Sequence, residues 1–140
     1  MFIQSPTQLT FSQHYRYKDD IEGITIPVTL RYDGEPLRVW AKVDPGASVC
    51  LFRREHGEEL GIQIEQGELI ILDTLSGSIE AFGHLLVLQT GDLVFESVVY
   101  FAKHPGLKRN LLGRQGWLRK SLVAINDNDC VLYLNSLANG

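Results

Sequence analysis

The chain has 140 residues, of which 44% are hydrophobic and 21% charged, and its formal net charge is -4 at pH 7. These values fit one globular domain with its own core, and the chain is too short for two well-packed domains. Acidic and basic residues are mixed without a basic run, which argues against nucleic acid or an anionic membrane surface as the main partner. The longest apolar stretches fall well short of the roughly 20 residues of a membrane span, and the first ten residues lack the features of a secretory signal. We therefore expect a cytoplasmic location.

The first 23 residues mix polar and aromatic side chains without a clear period. We interpret residues 1–23 as an extended N-terminal arm and residues 24–140 as the folded domain. From residue 24 to residue 30, apolar side chains alternate with others, which is typical of a strand with one buried face.

A tight turn at Asp33-Gly34 follows this strand, because Asp favours turns and Gly tolerates positive φ. Leu37–Val43 is then predicted to return as the second strand of a hairpin. Asp44 would consequently lie just past a strand end.

The rest of the chain predicts further short elements separated by turns. We expect a short buried strand at 49–52, a helix at 53–60 that ends at Gly61, and strands at 68–72, 78–89 and 93–101. We then expect a short apolar segment at 111–113, followed by one or two helical turns at 114–120. The chain ends in a predicted C-terminal hairpin formed by 122–125 and 130–134. This pattern indicates a mostly-β barrel or sandwich with two brief helices.

The two cysteines, Cys50 and Cys130, do not form a CxxC pair, and we interpret them as reduced, mostly buried thiols. The four histidines are scattered and offer too few closely spaced ligands for a zinc site. We expect no cofactor. Trp40 and Trp117 are interpreted as core or interface aromatics, and Trp40 is also a candidate for the flank of a substrate groove.

The sharpest local feature is a carboxylate in a tight turn between two apolar strands. The loop consists of Asp44, Pro45, Gly46, Ala47 and Ser48. Gly46 lets the backbone bend and come close to another segment. Taken alone, the loop is equally compatible with an ordinary Asp-Pro-Gly turn.

Two further features follow this loop in order. The first is a pair of β-arms, residues 70–82, around a polar tip at Leu75, Ser76, Gly77 and Ser78. The second is a short apolar segment before a helical stretch, and it comprises Asn110, Leu111, Leu112, Gly113 and Arg114.

In this order and spacing, the three features resemble the retropepsin-like aspartic proteases, the single-lobe relatives of pepsin, over roughly residues 25–120. The family pattern is a hydrophobic residue, Asp-Thr/Ser-Gly-Ala, a β-hairpin flap, and two hydrophobic residues with Gly before a short helix. The resemblance implies a closed, mostly-β, acid-protease-like barrel that works as a homodimer, with residues 24–140 as the protease domain.

The resemblance also implies a role for each feature. Asp44 would be the catalytic aspartate, with Pro45 to Ser48 as the rest of its loop. The tip from Leu75 to Ser78 would belong to a flap that closes over a bound peptide. The strand formed by Leu111, Leu112 and Gly113 would support the catalytic loop, and Arg114 would form an ion pair at the dimer interface.

Two carboxylates that share one proton can hydrolyse a peptide bond without a metal. One acts as general base on a water, and the other acts as general acid toward the carbonyl. The chain has one suitable loop, since Asp33-Gly34 lies in a hairpin turn with different flanks. The second Asp44 must therefore come from a second copy of the chain across a twofold axis. The expected substrate is a peptide or unfolded protein, bound as an extended strand.

Pro45 departs from the family pattern, which has Thr or Ser at this position. The family's hydroxyl links the two catalytic loops across the dimer axis, whereas proline has neither a hydroxyl nor a backbone N–H. Each lost hydrogen bond is worth about 0.5–1.5 kcal/mol net, and the fixed φ of proline offsets part of this by stiffening the loop. Three alternatives stay open: an active endopeptidase, a weak or inactive dimeric module of the same fold for peptide binding or assembly, and an unrelated β-barrel with a chance turn.

Overall fold

The computed structural model describes residues 1–137. Strands make up 50% of the described residues and helices 9%, which confirms the mostly-β prediction. One α-helix is present in the described residues, α1 at Arg54–Glu59, together with short 3₁₀ turns at Ile64–Gln66 and Leu118–Lys120. The strands are β1 (Gln13–Arg16), β2 (Thr25–Arg31), β3 (Leu37–Val43), β4 (Leu51–Phe52), β5 (Glu68–Thr74), β6 (Gly77–Thr90), β7 (Leu93–Ala102), β8 (Asn110–Leu112), β9 (Ser121–Asn126) and β10 (Val131–Ser136).

Six strands form a closed barrel in the order β2-β3-β8-β4-β7-β6. Closure comes from antiparallel pairing of β2 with β6, in which Thr29 lies opposite Gln89 and Arg31 lies opposite Val87. β5 lies outside this ring and pairs with β6 as a long hairpin. Two pairs in the barrel are parallel, β3 with β8 and β4 with β7. Parallel pairing places β8 beside β3 although the two strands are far apart in sequence.

The alternating pattern of β2 and β3 fills the barrel core. Ile26, Val28 and Leu30 of β2 point inward, as do Val39, Ala41 and Val43 of β3. Burying each of the larger aliphatic side chains contributes about 1.5–3 kcal/mol.

Trp117 completes the core as its largest fully buried side chain. Its indole Nε1–H donates a hydrogen bond to Thr90 Oγ1 at 2.9 Å, so the one polar atom of the ring is satisfied. The sequence prediction that Trp117 is a core aromatic agrees with this position, whereas Trp40 is 59% exposed.

The predicted first helix is present as Arg54–Glu59, and Gly61 follows it with φ +82°. The second expected helix, at 114–120, is reduced to the 3₁₀ turn. The N–H groups of Arg114 and Gln115 donate to carbonyls of the loop after β3, and a right-handed helix cannot run through Gly116 because its φ is positive. Gly116 then turns the chain with φ +101°.

A second, smaller sheet joins the two ends of the chain in the order β1-β10-β9. β1 pairs antiparallel with β10 from Gln13 opposite Leu134 to Arg16 opposite Val131. The arm of residues 1–23 therefore contains a strand that the sequence pattern did not reveal, while the boundary between arm and domain at 23/24 stays a prediction. In the part of the chain that the structure describes, no helix has the length and apolar character needed to cross a membrane.

Candidate active site

The loop after β3 folds back tightly on the Asp44 carboxylate. The backbone N–H of Ala47 donates to Asp44 O at 3.0 Å, which closes a four-residue turn. The N–H of Gly46 donates to Asp44 Oδ1 at 3.0 Å, so the side chain is oriented by its own loop. Pro45 occupies the second position of the turn, where its fixed φ is favoured.

The chain segment that begins with β8 holds this loop from the other side. The N–H of Asp44 donates to Leu112 O at 3.0 Å, which extends the β3–β8 pairing by one residue. The N–H of Arg114 donates to Ala47 O at 2.9 Å, and the N–H of Gln115 donates to Ser48 O at 2.9 Å. The loop is thus hydrogen-bonded at both ends to one continuous segment.

Gly113 lies at the centre of this contact. A Cβ added there would overlap the carbonyl oxygen of Val49 and lie 2.7 Å from the carbonyl oxygen of Ala47. Both obstacles are backbone atoms that cannot rotate away. The backbone at position 113 can therefore lie this close to the Asp44 loop only if the residue is glycine. This contact is how the expected supporting strand meets the loop.

Asp44 supplies one carboxylate to this site. It is half-buried, and the neighbouring Pro45 and Gly46 are exposed. Within residues 1–137, none of the ion pairs involves Asp44.

The predicted flap residues lie at the tip of the β5–β6 hairpin. Thr74 pairs with Gly77, so the connection consists of Leu75 and Ser76. Gly77 has φ +126°, and Thr74 Oγ1 donates to Gly77 O at 2.7 Å. Leu75 is fully exposed and adds one apolar side chain to the otherwise polar tip.

A groove of about 840 Å³ separates the flap from the segment that leads into β8. Leu111 forms part of its wall, one residue before the Leu112 carbonyl that accepts the Asp44 N–H. The groove is therefore continuous with the support of the aspartate loop. Its other lining residues include Ser76, Ser78, Ile79 and Glu80 of the hairpin and Leu107, Lys108 and Arg109 of the facing segment.

The structure brings the aspartate loop and the Leu-Leu-Gly segment into direct contact. The Arg114 side chain is exposed and takes part in no ion pair among residues 1–137, so its contribution within one chain is its backbone N–H. Its interface pairing stays a prediction, as do the catalytic and flap roles of the other residues.

Sequence reasoning assigned no role to Asn110, which is buried at the start of β8. Its Nδ2 donates to Trp40 O at 2.8 Å, and its Oδ1 accepts the backbone N–H of Arg53 at 2.9 Å. One side chain thus ties β8 to β3 and to the start of α1. The sequence signal that could have indicated this role was an amide side chain directly before a short apolar segment.

The other reactive side chains near the loop have structural roles. Burial raises the pKa of the Cys50 thiol to about 11, so it stays protonated beneath the loop near Gln115 O. His84 Nε2 lies 2.8 Å from Ile64 O. Within the described residues, no group of three or more His, Cys, Asp or Glu side chains is arranged to hold a metal ion.

Comparison with known families agrees with this geometry. Residues 27–115 match the model of a family described as aspartyl protease. The chain belongs to this family. The matched segment contains Asp44, the flap hairpin and Gly113. Among curated proteins, none matches the chain in sequence.

Solved structures confirm the retropepsin-like fold. A retropepsin-like aspartic protease from Rickettsia conorii is similar with a TM-score of 0.63 and 18% identity, over 86% of this chain and 96% of that chain. EIAV protease in complex with the inhibitor HBY-793 is similar with a TM-score of 0.50 and 19% identity, over 69% of this chain and 88% of that chain. Family membership excludes the alternative of an unrelated barrel with a chance turn.

Replacing Gly113 by Ala should destabilise the fold, because the added methyl group meets two backbone carbonyls. We expect a loss of about 3 kcal/mol in the free energy of unfolding, measured by urea denaturation. Gly34→Ala is the matched control, since nothing lies within 4 Å of the position that its methyl group would take and the cost is limited to its φ of +138°. Equal stability losses in both variants would contradict the supporting role of Gly113.

Proposed function

We propose that the protein is a homodimeric aspartic endopeptidase in which Asp44 from each of two copies forms one catalytic pair. The observation that carries this proposal is the Asp44 loop, which is fixed by hydrogen bonds at both ends and presents one half-buried carboxylate. The segment that holds this loop also forms part of the flap-groove wall at Leu111. Membership of the aspartyl protease family supports the same reading.

The reaction follows from two carboxyl groups that hold one proton between them. The ionised group takes a proton from a water molecule, and the water oxygen attacks the peptide carbonyl carbon. The protonated group gives its proton to the carbonyl oxygen, which yields a neutral tetrahedral intermediate. Collapse of this intermediate breaks the C–N bond as the amine nitrogen takes a proton from one carboxyl group of the pair. A hydroxyl of the intermediate gives its proton to the other carboxylate, which restores the single shared proton.

Two copies are needed because one chain offers one such loop. The exposed Pro45 and Gly46 are suited to contact with a second copy around a twofold axis. Like charges a few ångströms apart cannot both ionise without cost, so the pair retains one proton below neutral pH. Cleavage should accordingly increase as the pH falls from 7 toward 4 or 5.

The substrate class is an extended polypeptide. A strand lying between the flap hairpin and the Leu111 wall would hydrogen-bond through its main chain and place alternate side chains in pockets. Closure of the exposed flap tip over the substrate would exclude water from the reacting atoms. The cytoplasmic location and the absence of nucleic-acid and membrane partners remain predictions from composition.

A second candidate is a dimeric module of the same fold that binds or assembles peptides with little or no cleavage. Pro45 favours it, because an interloop hydrogen bond from this position is not possible. Within the chain, however, Pro45 fits the turn that ends at the Ala47 N–H. We therefore place the active enzyme first.

Asp44→Asn should abolish cleavage, since an amide cannot exchange the shared proton. Incubation with an unstructured protein at pH 4 to 7 should show a rate reduced roughly 100-fold or more. Asp33→Asn is the matched control, because Asp33 lies in the exposed β2–β3 turn. An Asp44→Asn protein that cleaves as fast as its parent would refute the proposal.

Pro45→Thr distinguishes the two candidates. Restoring the hydroxyl and the N–H should raise the cleavage rate by roughly threefold to tenfold, if each new interloop bond contributes its usual energy. Pro36→Thr, at an exposed site before β3, should leave the rate unchanged. If the parent and Pro45→Thr are both inactive while peptide binding persists, the binding module is the correct reading.

A further inference from the structure

A second cavity, of about 530 Å³, lies on the outer face of the barrel along β3. Because Val39, Ala41 and Val43 face the core, the alternate side chains of Arg38, Trp40 and Lys42 face outward into this cavity. Its remaining wall includes Arg53, Lys108 and Arg109. We call it the β3 cavity.

The β3 cavity concentrates positive charge in a chain whose net charge is -4. Arg109 pairs with Glu22, the one carboxylate residue in the wall, and Arg53 pairs with Glu55 at 2.6 Å. The side chains of Arg38, Lys42 and Lys108 form no ion pair within residues 1–137. This excess of cations favours an anionic ligand.

The unpaired positive charge in the β3 cavity is greatest at Arg38 and Lys108, which are both exposed. Lys42 also lines a neighbouring cavity that contains Asp19 and Asp20, so part of its charge is offset there. The anion is therefore expected to contact Arg38 and Lys108 first.

One other feature of the wall indicates the chemistry of the ligand. Trp40 is 59% exposed between the cations, and its ring offers an apolar surface. A ligand with carboxylate oxygens and adjacent aliphatic carbons, such as a Glu or Asp side chain, complements both the exposed cations and this ring.

The β3 cavity and the flap groove share part of their walls. Lys108 and Arg109 line both spaces. Lys42 lies opposite Leu111 in the β3–β8 register and two residues before Asp44. A polypeptide bound in the flap groove can therefore extend along this segment into the β3 cavity.

We infer that the β3 cavity is a specificity site for acidic side chains of the substrate polypeptide, in the segment next to the one bound at Asp44. This inference rests on the proposed function for its substrate class. A polypeptide fits better than nucleic acid, because the cations are confined to one cavity that joins a peptide groove. The net negative charge of the whole chain opposes a long polyanion.

The test measures binding with Asp44→Asn protein, so that no cleavage is needed. Two unstructured peptides are compared that are identical except for a short run of glutamates in one and glutamines in the other. Exposed Trp40 reports occupancy by fluorescence, whereas Trp117 is fully buried, and a Trp40→Phe protein gives the background. We expect the glutamate peptide to bind about fivefold more tightly at low salt. The preference should disappear at about 1 M salt, where the charges are screened.

A double variant tests which residues cause the tighter binding of the glutamate peptide. Arg38→Gln with Lys108→Gln should bind both peptides equally. Arg31→Gln with Arg119→Gln removes the same charge from exposed sites outside the two cavities and should retain the preference. A parent that binds both peptides equally, or a preference that survives loss of Arg38 and Lys108, would overturn the inference.

Three further outcomes separate the possible failures. A short single-stranded oligonucleotide that binds more tightly than the glutamate peptide, and that loses affinity in the Arg38/Lys108 variant, would replace the inference with a nucleic-acid site. Preference for the glutamate peptide in a protein that never cleaves would support the site and reject the proposed enzyme. Cleavage of both peptides at equal rates, together with equal binding, would reject the site alone.

Discussion

The end of β8 runs directly against the backbone of the loop after β3, because residue 113 carries no side chain. A single Cβ at this point would overlap the Val49 carbonyl and force the two segments apart. With glycine present, carbonyls of the Asp44 loop accept hydrogen bonds from the segment after β8, and Leu112 O accepts the N–H of Asp44. The position of the candidate catalytic carboxylate depends on this contact.

The rest of the barrel brings the two segments together. Parallel pairing of β3 with β8 is possible because β4, β6 and β7 complete the ring between β8 and β2. Trp117 then anchors the segment after Gly113 in the core through its bond to Thr90. The Asp44 loop is consequently held by the whole barrel, although its own sequence is a short turn.

The segment that leads into β8 also joins two binding surfaces. On one side it faces the flap hairpin across the groove, and on the other it closes the β3 cavity. Lys108 and Arg109 border both. Catalysis at Asp44 and selection of acidic side chains are therefore proposed to use the same short piece of chain.

Local patterns in the sequence predicted much of this fold. The β2–β3 hairpin follows from period-two alternation and an Asp-Gly turn, and the flap hairpin follows from a polar tip between apolar arms. The support of the Asp44 loop by Leu112 and Gly113 was inferred from family resemblance, and the backbone contacts agree with it.

Features that depend on distant pairing were not predicted. The strand β1 became visible through its pairing with β10 at the other end of the chain. The β3–β8 register is needed for Asn110 to bridge two strands, and short-range periodicity does not encode that register. The same register brings together the cations Arg38, Arg53 and Lys108. The helical stretch expected at 114–120 is limited to the 3₁₀ turn at Leu118–Lys120, because Gly116 has φ +101° and a right-handed helix cannot run through it. No local pattern reveals that conformation.

The central claim is that two copies of Asp44 form one catalytic unit. It is tested most directly by mixing parent protein with increasing proportions of Asp44→Asn protein, allowing the subunits to exchange, and measuring cleavage at constant total concentration. If mixed dimers hold one carboxylate and are inactive, the rate should fall as the square of the parent fraction. A rate that falls in simple proportion to the parent fraction would show that each chain acts alone and would contradict the claim.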